Sequence, residues 1–111
     1  MNRYTAVIAA AVLACASGGV HAQDDGIVNF GKIVGGNAEN GKACGASQAQ
    51  IDGYKAKQKQ LMQGMYAQVK NFGSDFDNGY KLGQQTMQKA HATGTYKPDA
   101  AICKQLLSEM R

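Results

Sequence analysis

Two cysteines, Cys44 and Cys103, stand 59 positions apart and would close a loop around about half of the 111-residue chain if joined. In the chain-entropy description a closure of that length stabilises by about 4 kcal/mol. That is close to the whole net stability of a small domain, roughly 5 kcal/mol at the low end. Whether the two join depends on the compartment, and the start of the chain bears on the compartment.

Arg3 is followed by an apolar run, Ala6–Ala16, and then by a small, polar stretch that ends Val20-His21-Ala22. The run is far shorter than the roughly 20 apolar residues of a membrane span. Slim side chains one and three positions before a cut suit signal peptidase. Residues 1–22 therefore read as a secretory signal, cleaved between Ala22 and Gln23. The third cysteine, Cys15, lies within it. Val12-Leu13-Ala14-Cys15 loosely resembles a bacterial lipobox, which would make the product a lipoprotein anchored through Cys15, although Leu13 directly before Ala14 is atypical. The preferred expectation is a periplasmic or secreted bacterial protein. Its two remaining cysteines then pair as Cys44–Cys103 in an oxidising compartment.

Removing residues 1–22 from 111 leaves 89, enough for one domain, and losing Arg3 lowers the formal charge from +4 to +3. A weak, evenly spread positive charge lacks the clustered basic face that nucleic acid requires. No second apolar stretch is long enough for stable membrane insertion after cleavage.

The mature chain divides into a Gly-rich, partly ordered N-terminal segment, 23–46, and a helical domain, 47–111. In the first, Ile27, Phe30 and Val34 sit at helical spacing, so a short helix over 26–34 is one reading and a strand the other. Gly31, Gly35 and Gly36 each weaken a helix by about 1 kcal/mol relative to Ala. Gly35–Gly45 (GGNAENGKACG) reads as loop.

Ser47 with Gln50 has the form of a capping box. Behind it Ile51, Tyr54, Leu61, Met65, Val69 and Phe72 recur at multiples of three and four, one face of a helix over about 47–72. Lys55, Lys57 and Lys59 fall between them as a solvated face. Gly73 ends this helix, and Ser74 opens a second over about 75–92, with Asp75 and Asp77 near its positive end. Its buried face is Phe76, Tyr80, Gly83, Met87 and Ala90, and Gly94 stops it. So short a connection makes the pair an antiparallel hairpin. Pro98 suits the first position of a third helix, about 98–110, with Ala101, Ile102, Leu106 and Met110 as its apolar stripe. The expected fold is a small all-α bundle, a hairpin plus a C-terminal helix, in which Cys44–Cys103 clamps the last helix across the open end of the hairpin.

Catalytic groups are scarce. His91 is the sole mature histidine, neither mature cysteine has a His beside it, and no nucleophile-elbow or phosphate-loop pattern occurs. The run Asp75-Phe76-Asp77-Asn78-Gly79 fails as a calcium loop, because Tyr80 and Thr86 fall where Gly and Glu are needed. No catalytic residue, metal site or cofactor is therefore assigned, and the chain is read as a non-enzyme. Tyr66 and Tyr96 lie off the main apolar stripes and are the candidate interaction residues, since Tyr is enriched at interfaces. The functional expectation is a binding or interaction role in the bacterial cell envelope, with another envelope or extracellular protein as partner. In size, leader, helicity and cysteine pair the layout is similar to periplasmic stress chaperones and to toxin-immunity proteins. Either role is the alternative, and no motif selects one.

Overall fold

The computed structural model describes residues 22–111, with side chains from Asp25 onward. The segment expected to be a signal, with Arg3 and Cys15, lies outside the described residues apart from Ala22. Four helices make up the described part: α1 (Ala22–Ala43), α2 (Gln48–Met65), α3 (Phe72–Ala92) and α4 (Ala100–Glu109). No described residue is in a strand, so the expected all-α bundle is the fold.

The largest correction concerns α1. The stretch read as loop from Gly35 is helical through Ala43, and the short helix expected over 26–34 is part of a single helix of 22 residues. The reason is tertiary. Gly31 and Gly35 lie directly against the backbone of α3 at Phe76, Gly79 and Tyr80, while Gly79 and Gly83 lie against the backbone of α1 at Val28 and Lys32. A Cβ at any of the four would collide with backbone across the contact. The missing side chains cost local helix stability and in exchange permit close-packed contact along two helices, where each pair of atoms adds a small dispersion gain.

Four pairs across this contact share an offset of 51: Val28 with Gly79, Lys32 with Gly83, Gly36 with Met87, and Asn40 with His91. Numbers that rise together mean that α1 and α3 run parallel. α2 carries the chain back between them. Lys55 reaches Tyr80 and Lys59 reaches Asp77, so α2 and α3 run antiparallel, as the hairpin reading required. The main partner of α3 is nevertheless α1 rather than α2.

Helix ends follow local chemistry closely. The Ser47–Gln50 capping box forms in both directions, with Gln50 N donating to Ser47 Oγ at 3.1 Å and Ser47 N donating to Gln50 Oε1 at 2.8 Å. α1 and α3 each end on a glycine in the left-handed region, Gly45 (φ 101°) and Gly94 (φ 72°). Ala46 N donates to Gly41 O and Thr95 N to Ala90 O, closing the loop typical of such ends. α4 is capped by Asp99, whose carboxylate accepts from Ile102 N at 2.8 Å. Pro98 sits one residue before that cap rather than at the first helical position.

Two expected boundaries move. α2 stops at Met65 rather than near 72, and α3 begins at Phe72, so Gly73 lies inside α3 and Ser74 is not its cap. Val69, in the intervening turn, still packs on the core and keeps the apolar period running through a stretch that is not helical. Leu61 and Met65, expected on the buried face of α2, are 59% and 73% exposed. On α4 Ala101 is exposed, whereas Leu106 and Met110 are buried.

The core includes Ile27, Val34 and a fully buried Phe76, whose ring lies 6.0–6.4 Å, centroid to centroid, from those of Phe30, Phe72 and Tyr80. Cys44, at the C-terminal end of α1, is bonded to Cys103 in α4, with Cα atoms 5.2 Å apart. The disulfide thus fastens α4 to the end of α1.

Candidate binding cleft

α1 presents two faces. Gly31 and Gly35 lie against α3, while Phe30, Ile33, Val34 and Asn37, at helical spacing, line a recess shared with α2 and α4, Phe30 packing on Phe76 as well. Between these three helices lies a cavity of about 260 Å³. Ile33 and Val34 of α1 and Ile102 and Leu106 of α4 make its apolar walls. α4 is placed there by the disulfide at Cys103 and by burial of Leu106 and Met110.

All three helices also bring polar groups to the cavity: Asn37 from α1, Tyr54 and Gln58 from α2, and Gln105 and Glu109 from α4. Asn37 Nδ2 donates to the Tyr54 hydroxyl at 3.2 Å. Gln58, Gln105 and Glu109 complete the polar lining. Burial pushes the Tyr54 phenol above its ordinary range; the Asn37 hydrogen bond opposes this, and the nearby Glu109 charge adds to it. An apolar floor with a few convergent polar groups is the usual composition of a small-ligand site.

A second polar cluster joins the far ends of α1 and α3. Glu39 and Asn40 are buried. Gln88 Nε2 donates to Glu39 Oε1 at 2.9 Å, and His91 Nε2 donates to Asn40 Oδ1 at 2.8 Å. No buried side-chain polar atom among the described residues is left without a hydrogen bond, so this cluster is a satisfied structural network. Lys55 and Lys59, read as solvated, instead fold over Tyr80 and Phe76 and reach Asp77 at 3.6 and 2.9 Å.

The two tyrosines singled out for interaction are not brought together. Tyr66 is half-buried in the turn after α2 and packs on the core. Tyr96 is half-buried beyond α3, its ring stacked 6.3 Å from His91. The 21 residues of α3 separate them, a helix about 30 Å long. The residues that line the cleft were missed, because the loop reading from Gly35 cut the Phe30–Ile33–Val34–Asn37 row in two; that row was the signal that could have found them.

No protein-family model, curated protein or solved structure matches the chain. Among the described residues no group of three or more His, Cys, Asp or Glu is placed to hold a metal ion, and no helix is long and apolar enough to cross a membrane.

Proposed function

We propose that this chain is a small exported binding protein of the bacterial cell envelope, which acts without catalysis by holding a guest in the cleft between α1, α2 and α4. The observation that carries the reading is the cleft itself, an apolar recess with a few polar groups in its lining, on a scaffold whose third wall is fastened by a disulfide. The leader-like start of the sequence and the cysteine pair support export.

Expression of the full chain in a bacterial host tests both halves. The expected product is periplasmic, begins at Gln23, contains no free thiol, and binds an apolar fluorescent dye. Ile33→Trp, which fills the cleft from a half-buried position, is expected to abolish dye binding while leaving helix content unchanged. Retention in the cytoplasm with the leader intact would overturn the export reading, and a dye signal untouched by Ile33→Trp the binding one.

A further inference from the structure

The charge at the cleft runs against the charge of the chain. Lys and Arg together number 12 against 8 Asp and Glu. Yet the one charged side chain lining the cleft, among the described residues, is the carboxylate of Glu109. Glu109 is exposed, and no cation pairs with it among the described ion pairs. Its neighbours in the lining, Asn37, Tyr54, Gln58 and Gln105, are neutral. A guest whose apolar part lies against Ile33, Val34, Ile102 and Leu106 would therefore bring its polar end to a single negative charge and a set of neutral hydrogen-bonding groups. That arrangement attracts an ammonium and repels a carboxylate or phosphate, which would meet Glu109 with no compensating cation.

Size narrows the class further. A cavity of about 260 Å³ lies below the roughly 300–1,000 Å³ of sites for drug-sized molecules, so it takes one short apolar chain or a single ring.

Resting on the reading of the cleft as a binding site, we infer that its guest is a small amphipathic amine, with one apolar tail seated between α1 and α4 and one ammonium beside Glu109. Electrostatics sets the selectivity and the apolar walls supply most of the affinity. The same chemistry fits a free alkylamine and the cationic head of a single-chain lipid, and probes of the two kinds separate these sources.

The test is calorimetric titration of the mature, oxidised protein with decylamine, decyltrimethylammonium and decanoate below their micelle concentrations. Both cations are expected to bind, and decanoate is not. Decylamine binding stronger than that of decyltrimethylammonium points to a free amine donating hydrogen bonds at the rim, and the reverse order to a quaternary lipid head. Glu109→Gln, at an exposed position, is expected to weaken the cations about three- to fivefold, the weight of one solvent-exposed ion pair, and to admit decanoate. Ile33→Trp is expected to block all three probes. Decanoate binding equal to that of the amines, or amine binding indifferent to Glu109→Gln, would overturn the inference while the cleft reading stands. Failure of every probe together with the apolar dye would overturn both. A dimer that Ile33→Trp dissociates would assign the cleft to a second copy of the chain and overturn the inference as well.

Discussion

Gly83 lies against the backbone of Lys32 so closely that a Cβ on it would fall 2.7 Å from the Lys32 carbonyl carbon, nearer than real Cβ contacts come. A single added methyl there must push α3 away from α1. Overpacking a fitted contact costs about 1–3 kcal/mol, while the substitution gains about 1 kcal/mol of helix propensity. Gly83→Ala is therefore expected to lower stability on balance, and Gly79→Ala, which meets Val28 in the same way, to do likewise. Gly53 and Gly64 are helical glycines on α2 with open space around them. Gly53→Ala and Gly64→Ala should stabilise by up to about 1 kcal/mol. Urea denaturation of the four variants checks the sign at each site. A Gly83→Ala protein as stable as Gly53→Ala would mean that α1 and α3 do not pack backbone to backbone.

What the sequence reveals about this fold is whatever is decided within a few residues. Ser47 and Gln50 announce the start of α2 because both partners of the capping box lie in one turn, and Gly94 announces the end of α3 because a left-handed residue is a local need. Gly31 and Gly35 announce nothing. Their value lies in α3, some 50 positions on, and read locally they count only as helix breakers. The end of α2 was hidden for a different reason. Val69 and Phe72 continue the spacing of Ile51 and Tyr54 from outside the helix, so the period survives where the helix does not. The cleft inherits the first failure, since its α1 wall exists only once α1 is continuous through Asn37.

The disulfide governs α4 more than any other element. α4 is the shortest of the four described helices, and its buried anchors are Leu106 and, at its C-cap, Met110. Converting both cysteines (Cys44→Ser with Cys103→Ser) is expected to cost about 2–5 kcal/mol, from the loop of 59 positions that the bond closes. Because α4 supplies Ile102 and Leu106 to the cleft, dye binding should fall along with the urea midpoint. A double variant that keeps the midpoint of the oxidised protein would show that α4 is held without the bond.

One face of α2 changes character along its length. Ile51 is 3% exposed, whereas Leu61, on the same apolar row, is 59% exposed. Ile51→Ala opens a cavity in the core and is expected to cost about 2–5 kcal/mol. Leu61→Ala removes a side chain that is already in water and is expected to stay within about 0.5 kcal/mol of the parent. Thermal unfolding of the two variants separates the cases. Similar losses from both would extend the core along α2 to Leu61, as the periodicity of the sequence implies.

Alkaline pH should weaken the domain through its buried phenols. Burial, reinforced by the carboxylates of Asp52 and Glu39 and by Tyr54, pushes the Tyr80 phenol from its ordinary 10.0 up to about 12. Tyr54 is raised as well, again mainly by burial. In the unfolded chain these phenols release their protons near pH 10, whereas in the folded protein Tyr80 holds its proton until about pH 12. Between those values the folded state binds more protons than the unfolded one, so stability falls as pH rises. The contribution is whole below pH 10 and is lost by about pH 12. Urea midpoints measured across this window should be level at its lower edge and decline through it, with a shallower decline in Tyr80→Phe, which keeps the ring against Phe76 and removes the ionisable hydroxyl. A midpoint that stays level through pH 12, or a Tyr80→Phe profile that falls as steeply as the parent, would show that Tyr80 ionises without opposing the fold.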